Sequence, residues 1–145
     1  MAEQQRVLVT GSSRGIGRAI ALRLAKAGFD IALHCRGNIA AAQEAAAGIS
    51  AMGRSTSILQ FDVADRDAAR AAIEKDMNDF GTYYGVVCNA GITRDNAFPA
   101  MSDEEWDSVI HTNLDGFYNI VKPIVMPMVR AKKGGRIITM SSISG

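Results

Sequence analysis

The stretch Val7–Leu24, VLVTGSSRGIGRAIALRL, decides how the rest of the chain is read. It opens as an apolar, β-rich run and passes through a turn holding Gly11, Gly15 and Gly17. Ile16, Ile20, Leu24 and Ala27 then recur at helical spacing until Gly28 stops the pattern. Some positions of such a turn demand positive φ, and a Cβ at others would keep a pyrophosphate away from the backbone. The helix starting near Gly15 aims its free N–H groups and positive dipole end at an anion. No Gly-Lys-Ser/Thr follows, so a Walker-type triphosphate site is excluded. The strand–turn–helix context favours a dinucleotide over the plain alternative of glycines that merely close a strand.

Outward from this stretch, β-rich runs alternate with amphipathic windows. The pattern predicts strands over 6–10, 29–35, 55–63, 85–91 and 135–142. Helices are predicted over 15–28, 39–53 and 66–81, the last with Asp65 as N-cap. A long helical region is predicted over about 103–133, opened by the capping-box sequence SDEE at Ser102–Glu105. There is no internal repeat, low-complexity tract or interdomain linker. Strict alternation of strand and helix predicts an α/β fold: a doubly wound parallel sheet of the Rossmann type with right-handed crossovers. Residues 1–145 are read as one nucleotide-binding domain. In that architecture ligands bind beyond the carboxyl ends of the strands, where strand order reverses.

Composition narrows the function classes. A net charge of +1, with Lys and Arg spread along the chain, recommends neither nucleic acid nor an anionic membrane as partner. No apolar run approaches a membrane span, and the start MAEQQR has no signal-peptide core. Cys35 and Cys88 lie in strand-like runs without metal-ligand spacing, as buried free thiols of a reducing cytoplasm would; no metal site is expected.

Thr10–Gly17 has the spacing T-G-x-x-x-G-x-G, and Asn89–Gly91 reads N-A-G. Together these motifs resemble the short-chain dehydrogenase/reductase family. The resemblance implies that Gly11, Ser13, Arg14, Gly15, Ile16, Gly17, Asn89, Ala90 and Gly91 hold a nicotinamide dinucleotide, with Asp62 and Val63 beside its adenine. An NAD site carries an acidic residue about 20 positions past the glycine turn. Here that position holds Arg36, with Arg14 a second cation in the turn itself. Two guanidiniums suit a 2′-phosphate, so NADP(H) is the expected cofactor. The alternative is that both arginines are ordinary solvated charges.

At the reacting end the family uses a Ser, an Asn, and a Tyr and Lys in Y-x-x-x-K. The resemblance assigns Ser142 (with Ser141 as fallback) and Asn113 as catalytic, and places the Tyr and Lys beyond Gly145. The domain is therefore expected to be truncated, lacking the helix of the catalytic Tyr and the C-terminal strands. Tyr118 and Lys122 have the Y-x-x-x-K spacing but precede the serine strand, so they read as an ordinary helix pair. Within the family, the NAGITRDNAF, MSDEEWDSVIHTNLDGFYNIVK and GRIITMSSISG segments resemble the reductases of 3-oxoacyl thioesters carried by acyl carrier protein. Acetoacetyl-CoA reductases share much of this pattern. The resemblance implies a cytoplasmic, NADPH-dependent enzyme of fatty-acid or related chain elongation, as a homo-oligomer, commonly a tetramer. Arg130, Lys132 and Lys133 are candidates for a basic patch at the site mouth that docks the acidic carrier. A chain that truly stopped at Gly145 would instead be a non-catalytic nucleotide-binding module.

Overall fold

Every residue of Ile31–Cys35 is buried, as expected of a strand covered by helices on both faces. The structure is a computed structural model describing residues 4–92 and 96–142. Its strands are β1 (Arg6–Val9), β2 (Asp30–Cys35), β3 (Thr56–Gln60), β4 (Gly85–Cys88) and β5 (Arg136–Thr139). Its α-helices are α1 (Gly15–Lys26), α2 (Ile39–Ala51), α3 (Arg66–Phe80), α4 (Asp103–Ile110) and α5 (Gly116–Ala131). All four strand pairings are parallel, in the order β3-β2-β1-β4-β5. The chain works outward from β1 to β3, then returns to lay β4 on the other side of β1. Strand order therefore reverses between β1 and β4, and their carboxyl ends flank the crevice.

Alternate residues serve opposite faces. Val7, Val9, Ile31 and Leu33 pack with Ala21, Ala25, Ala45 and Ile49 of α1 and α2. Leu8, Ala32, Leu59 and Val86 pack with Ile73 of α3 and Ile120 and Ile124 of α5. Asn38 and Asp65 cap α2 and α3, and Ser102 with Glu105 forms a complete capping box on α4. Each cap contributes about 1 kcal/mol. No helix among the described residues is long and apolar enough to cross a membrane.

Several boundaries differ from the sequence expectation, among them the fifth strand, which ends at Thr139. The long helical region is split by a π-turn at His111–Asp115, and α5 carries Pro123 and Pro127 in its interior. No Pro or Gly lies within His111–Asp115 to mark the turn, so the sequence does not reveal it. The third strand ends at Gln60 because Asp62 starts a turn, its carboxylate accepting from the Ala64 N–H at 2.9 Å. The fourth ends at Cys88 because the Asn89 and Ala90 N–H groups turn to the Thr10 hydroxyl.

The amino ends of the strands are locked by a buried polar cluster. Arg6 pairs with Asp76 at 2.7 Å, donates to Ser57 Oγ and the Gly81 carbonyl, and lies against the Phe80 and Tyr83 rings. The Tyr83 hydroxyl donates to the same Asp76 carboxylate, and burial first, then that bond, pushes its pKa far above the usual range. Asp76→Ala would strand the Arg6 cation, whose side chain is only 10% exposed. We expect a loss of about 3–5 kcal/mol in urea unfolding. Tyr83→Phe, which removes one hydrogen bond and no charge, should cost about 1 kcal/mol.

Candidate functional site

Two adjoining clefts, of about 700 and 450 Å³, open at the carboxyl ends of β1 and β4 and share Ile16, Val63, Asn89, Ala90, Gly91 and Ile92. Thr10 ties their walls together. Its Oγ1 accepts from the N–H groups of Asn89 and Ala90, each at 3.0 Å, and donates to the Val87 carbonyl. Asn89 completes the clasp by donating from Nδ2 to the Gly11 carbonyl at 3.2 Å. Asn89 thus lines both clefts while its side-chain amide braces the glycine turn.

The turn has the shape the spacing requires. Gly11 and Gly15 have φ of +62° and +60°. Gly17 is buried, and a Cβ there would stand 2.2 Å from the Gly11 carbonyl oxygen. Unlike α2, α3 and α4, helix α1 has no side-chain cap. Its first turn holds no acidic residue. Its first N–H groups are therefore available to an external anion.

The smaller cleft gathers Gly11, Ser13, Arg14, Gly15 and Ile16 with Arg36, Asp62 and Val63. Arg36 and Asp62 meet directly, Nη2 to Oδ2, at 3.2 Å. Asp62 thus both starts a turn and neutralises Arg36. The larger cleft gathers Ser141 and Ser142 with Asn113, Cys88, Phe117, Thr139 and Met140. Asn113 lies in the π-turn and pairs both side-chain polar atoms with one residue. Its Oδ1 accepts from the Ile92 N–H at 2.9 Å and its Nδ2 donates to the Ile92 carbonyl at 2.8 Å. Its side chain therefore fixes the segment after Gly91. Burial pushes the thiols of Cys35 and Cys88 up, Cys88 to about 11, so both are protonated and non-nucleophilic at neutral pH.

Tyr118 and Lys122 line neither cleft; the Tyr118 ring stacks on the Arg66 guanidinium at 5.1 Å. No tyrosine is among the described residues lining the larger cleft. One placement is corrected. Helix α5 runs from the β4 end back to the start of β5, so Arg130, Lys132 and Lys133 lie at the amino ends of the strands. Lys133 there shares a recess with Arg6 and Tyr84. These cations are not at the mouth of this chain's cleft. Sequence reasoning named Thr10 only as the head of the glycine motif, without a role, and passed over His34, Ile92 and Phe117. The available signals were a hydroxyl directly before the first glycine and a polar residue inside an otherwise apolar strand. Among the described residues no cluster of potential metal ligands occurs.

A parallel sheet with a glycine turn at its switch point, clasped to a second turn after β4, defines a nucleotide-binding dehydrogenase architecture. The chain matches the short chain dehydrogenase family over residues 5–145 and belongs to it. It is 57% identical over 139 residues to the 3-oxoacyl-[acyl-carrier-protein] reductase FabG of Aggregatibacter actinomycetemcomitans, covering 96% of this chain and 57% of that protein. The FabG of Staphylococcus aureus strain Mu50 is 43% identical over 138 residues, 95% of this chain and 56% of that protein. The chain thus spans less than three-fifths of these relatives' length. Among solved structures, acetoin dehydrogenase YohF from Salmonella typhimurium superposes with a TM-score of 0.91 at 30% identity, over 97% of this chain and 56% of that one. An alcohol dehydrogenase from Thermococcus sibiricus complexed with 5-hydroxy-NADP gives 0.90 at 29% identity, over 97% and 59%.

Two glycine substitutions separate the constraints in the turn. Gly15→Ala meets no atom within 4 Å, so only its positive φ is penalised. A cost of about 1–2 kcal/mol is expected. Gly17→Ala drives a methyl into the Gly11 backbone and should cost clearly more, about 3 kcal/mol or above. Thermal unfolding of the two variants side by side gives the comparison.

Proposed function

We propose that this chain forms the cofactor-binding part of an NADPH-dependent reductase that converts a 3-oxoacyl thioester on acyl carrier protein to the 3-hydroxyacyl thioester. The observation that carries the reading is the 57% identity to such a reductase over 139 residues, 96% of this chain. The clefts fit a dinucleotide: an uncapped α1, a Cβ-free floor at Gly11 and Gly17, and two cations, Arg14 and Arg36, in the smaller one. Gly11, Ser13, Gly15 and Gly17 would hold the pyrophosphate with the α1 N–H groups. Arg14 and Arg36 would meet a 2′-phosphate, Asp62 and Val63 the adenine, and Asn89, Ala90, Gly91 and Ile16 the nicotinamide half.

The nicotinamide ring supplies a hydride when bound. The chain's own residues bind, orient and exclude water. Ser142, with Ser141 beside it, would donate a hydrogen bond to the substrate carbonyl oxygen as negative charge develops there. Asn113 would act by holding Ile92 and the wall behind the ring. Ile16, Val63 and Phe117 give that end an apolar lining which strengthens each hydrogen bond within it. The proton for the product alkoxide would come from the family's Tyr and Lys, outside residues 1–145. The enzyme would work in the cytoplasm as a homo-oligomer, with acyl carrier protein as partner.

Titration of the full-length protein with NADPH and NADH tests the cofactor. NADPH should bind at least about tenfold tighter, a difference of about 1.4 kcal/mol. Arg36→Asp should abolish that preference by placing a carboxylate beside the 2′-phosphate; equal affinities in the unmodified protein would overturn it. Competition between carrier-linked and CoA-linked 3-oxoacyl substrates tests the substrate. A clear kcat/KM advantage for the carrier is expected, and an advantage for CoA would reassign the enzyme. In the same assay Ser142→Ala should lower kcat by about a hundredfold or more with little change in dinucleotide affinity.

A further inference from the structure

His34 is the penultimate residue of β2 and is 2% exposed. Its ring tilts against Phe61, with centroids 4.4 Å apart. Nδ1 stands 2.9 Å from the Gly11 nitrogen and accepts its N–H. A nitrogen that accepts carries no proton, so the ring is neutral and its proton sits on Nε2. That Nε2–H donates to the Phe61 carbonyl at 2.8 Å. The backbone repeats the attachment: the His34 N–H donates to Ser12 Oγ at 2.9 Å, and the Ser12 N–H to the His34 carbonyl at 3.0 Å. One side chain thus joins the glycine turn, the end of β2 and the end of β3.

We propose that His34 is a positioning residue for dinucleotide binding: its neutral imidazole holds Gly11 in the conformation that receives the pyrophosphate, and protonation releases the turn. The proposal rests on reading the clefts as a dinucleotide site. A protonated ring has two donors and no acceptor, so the Gly11 N–H would face another N–H. Packing against Phe61 and the bond to its carbonyl oppose rotation of the ring, which leaves the turn to move.

Burial sets the direction, and the charged surroundings oppose it. Burial draws the His34 pKa below its ordinary 6.5, opposed by the Phe61 carbonyl and the negative charge of Asp62. Arg14 on the turn and Arg36 after β2 line the same cleft, Arg36 paired with Asp62, and the Cys35 thiol is protonated. The π-turn contributes only uncharged Thr112 to it. On α3, Asp65 caps the Ala68 N–H and Arg66 binds Asn119. His34 is therefore neutral above pH 6.5 and takes up its proton only below it. Affinity is full on the alkaline side and falls on acidification, by up to about tenfold per pH unit below the His34 pKa.

The test measures the NADPH and NADH dissociation constants of the full-length protein between pH 5 and pH 8, within the range where circular dichroism shows it folded. NADH is included because a secondary phosphate such as the 2′-phosphate titrates near pH 6 on its own account. His34→Asn keeps an acceptor near the Nδ1 position that does not titrate. His34→Gln keeps a donor towards Phe61 but offers Gly11 nothing in place. The unmodified protein should lose affinity for both dinucleotides as the pH falls. His34→Asn should show no acid loss for NADH, and His34→Gln should bind weakly at every pH. Nitrogen-15 NMR should show an unprotonated Nδ1 at pH 8. Superimposable pH profiles for the unmodified protein and His34→Asn, or a protonated Nδ1 at pH 8, would overturn the proposal while leaving the site assignment standing. Failure of the unmodified protein to bind any dinucleotide at pH 8 would overturn the site assignment and this proposal with it.

Discussion

The Thr10 hydroxyl joins two turns that the sheet alone would leave independent. Strands β1 and β4 pair along Val7–Val9 and Gly85–Val87, but past Val9 and Cys88 the ladder has ended and each chain enters its own turn. Thr10 takes two N–H groups from the second turn, and Asn89 returns a donor to the first at Gly11. Gly17 then sits close enough to Gly11 and Asn89 that only a hydrogen fits between them. Every other feature of the crevice hangs from this clasp. The start of α1, the wall formed by Asn89–Ile92 and, through Ile92, the π-turn that carries Asn113 are all referred to it.

Electrostatics follow from what the clasp leaves open. Helices α2, α3 and α4 satisfy their first turns with Asn38, Asp65 and the Ser102–Glu105 box, whereas α1 begins at Arg14 with no acceptor side chain. A carboxylate at that position would stabilise the helix and occupy the place of an anion. Arg14 and Arg36 add positive charge on the same side, moderated by Asp62 at 3.2 Å from Arg36. That ion pair is largely solvent-exposed and contributes little to stability. Its consequence is for orientation, since it holds the Arg36 guanidinium over the cleft.

The fold, and the gathering of the glycine turn with Arg14 and Arg36 in one cleft, were legible in the sequence because both depend on local signals. Strand and helix periods, the glycines of Gly11–Gly17 and the strand-end position of Arg36 can each be read without knowing what lies opposite. The clasp itself was not legible in that way: Thr10 and Asn89 are 79 positions apart, and only folding shows that one hydroxyl serves both turns. The π-turn escaped because no Pro or Gly within His111–Asp115 marks it. The basic run after α5 was assigned to the wrong end of the sheet because composition shows charge but not direction. His34 was read only as part of a buried strand, since its role appears when β3 brings the Phe61 carbonyl to the far side of its ring.

The two halves of the crevice are built to different standards of rigidity. In the smaller cleft, β2 is buried from Ile31 to Cys35 and paired on both edges, and the Gly11, Ser12 and Phe61 backbones are each bonded to His34. In the larger cleft, Ser141 and Ser142 follow β5, which among the described residues pairs only with β4 and is exposed along its whole length. Placement of the serines therefore depends on one ladder, Gly85–Cys88 against Arg136–Thr139. The Met140 N–H extends that ladder by one bond to the Cys88 carbonyl at 3.0 Å, immediately before Ser141. A close-packed residue at Cys88 thus matters for the serines without any thiol chemistry. Its carbonyl sets where β5 stops and the serine segment begins, while its side chain packs against the core that holds Leu8, Val86 and Ile120.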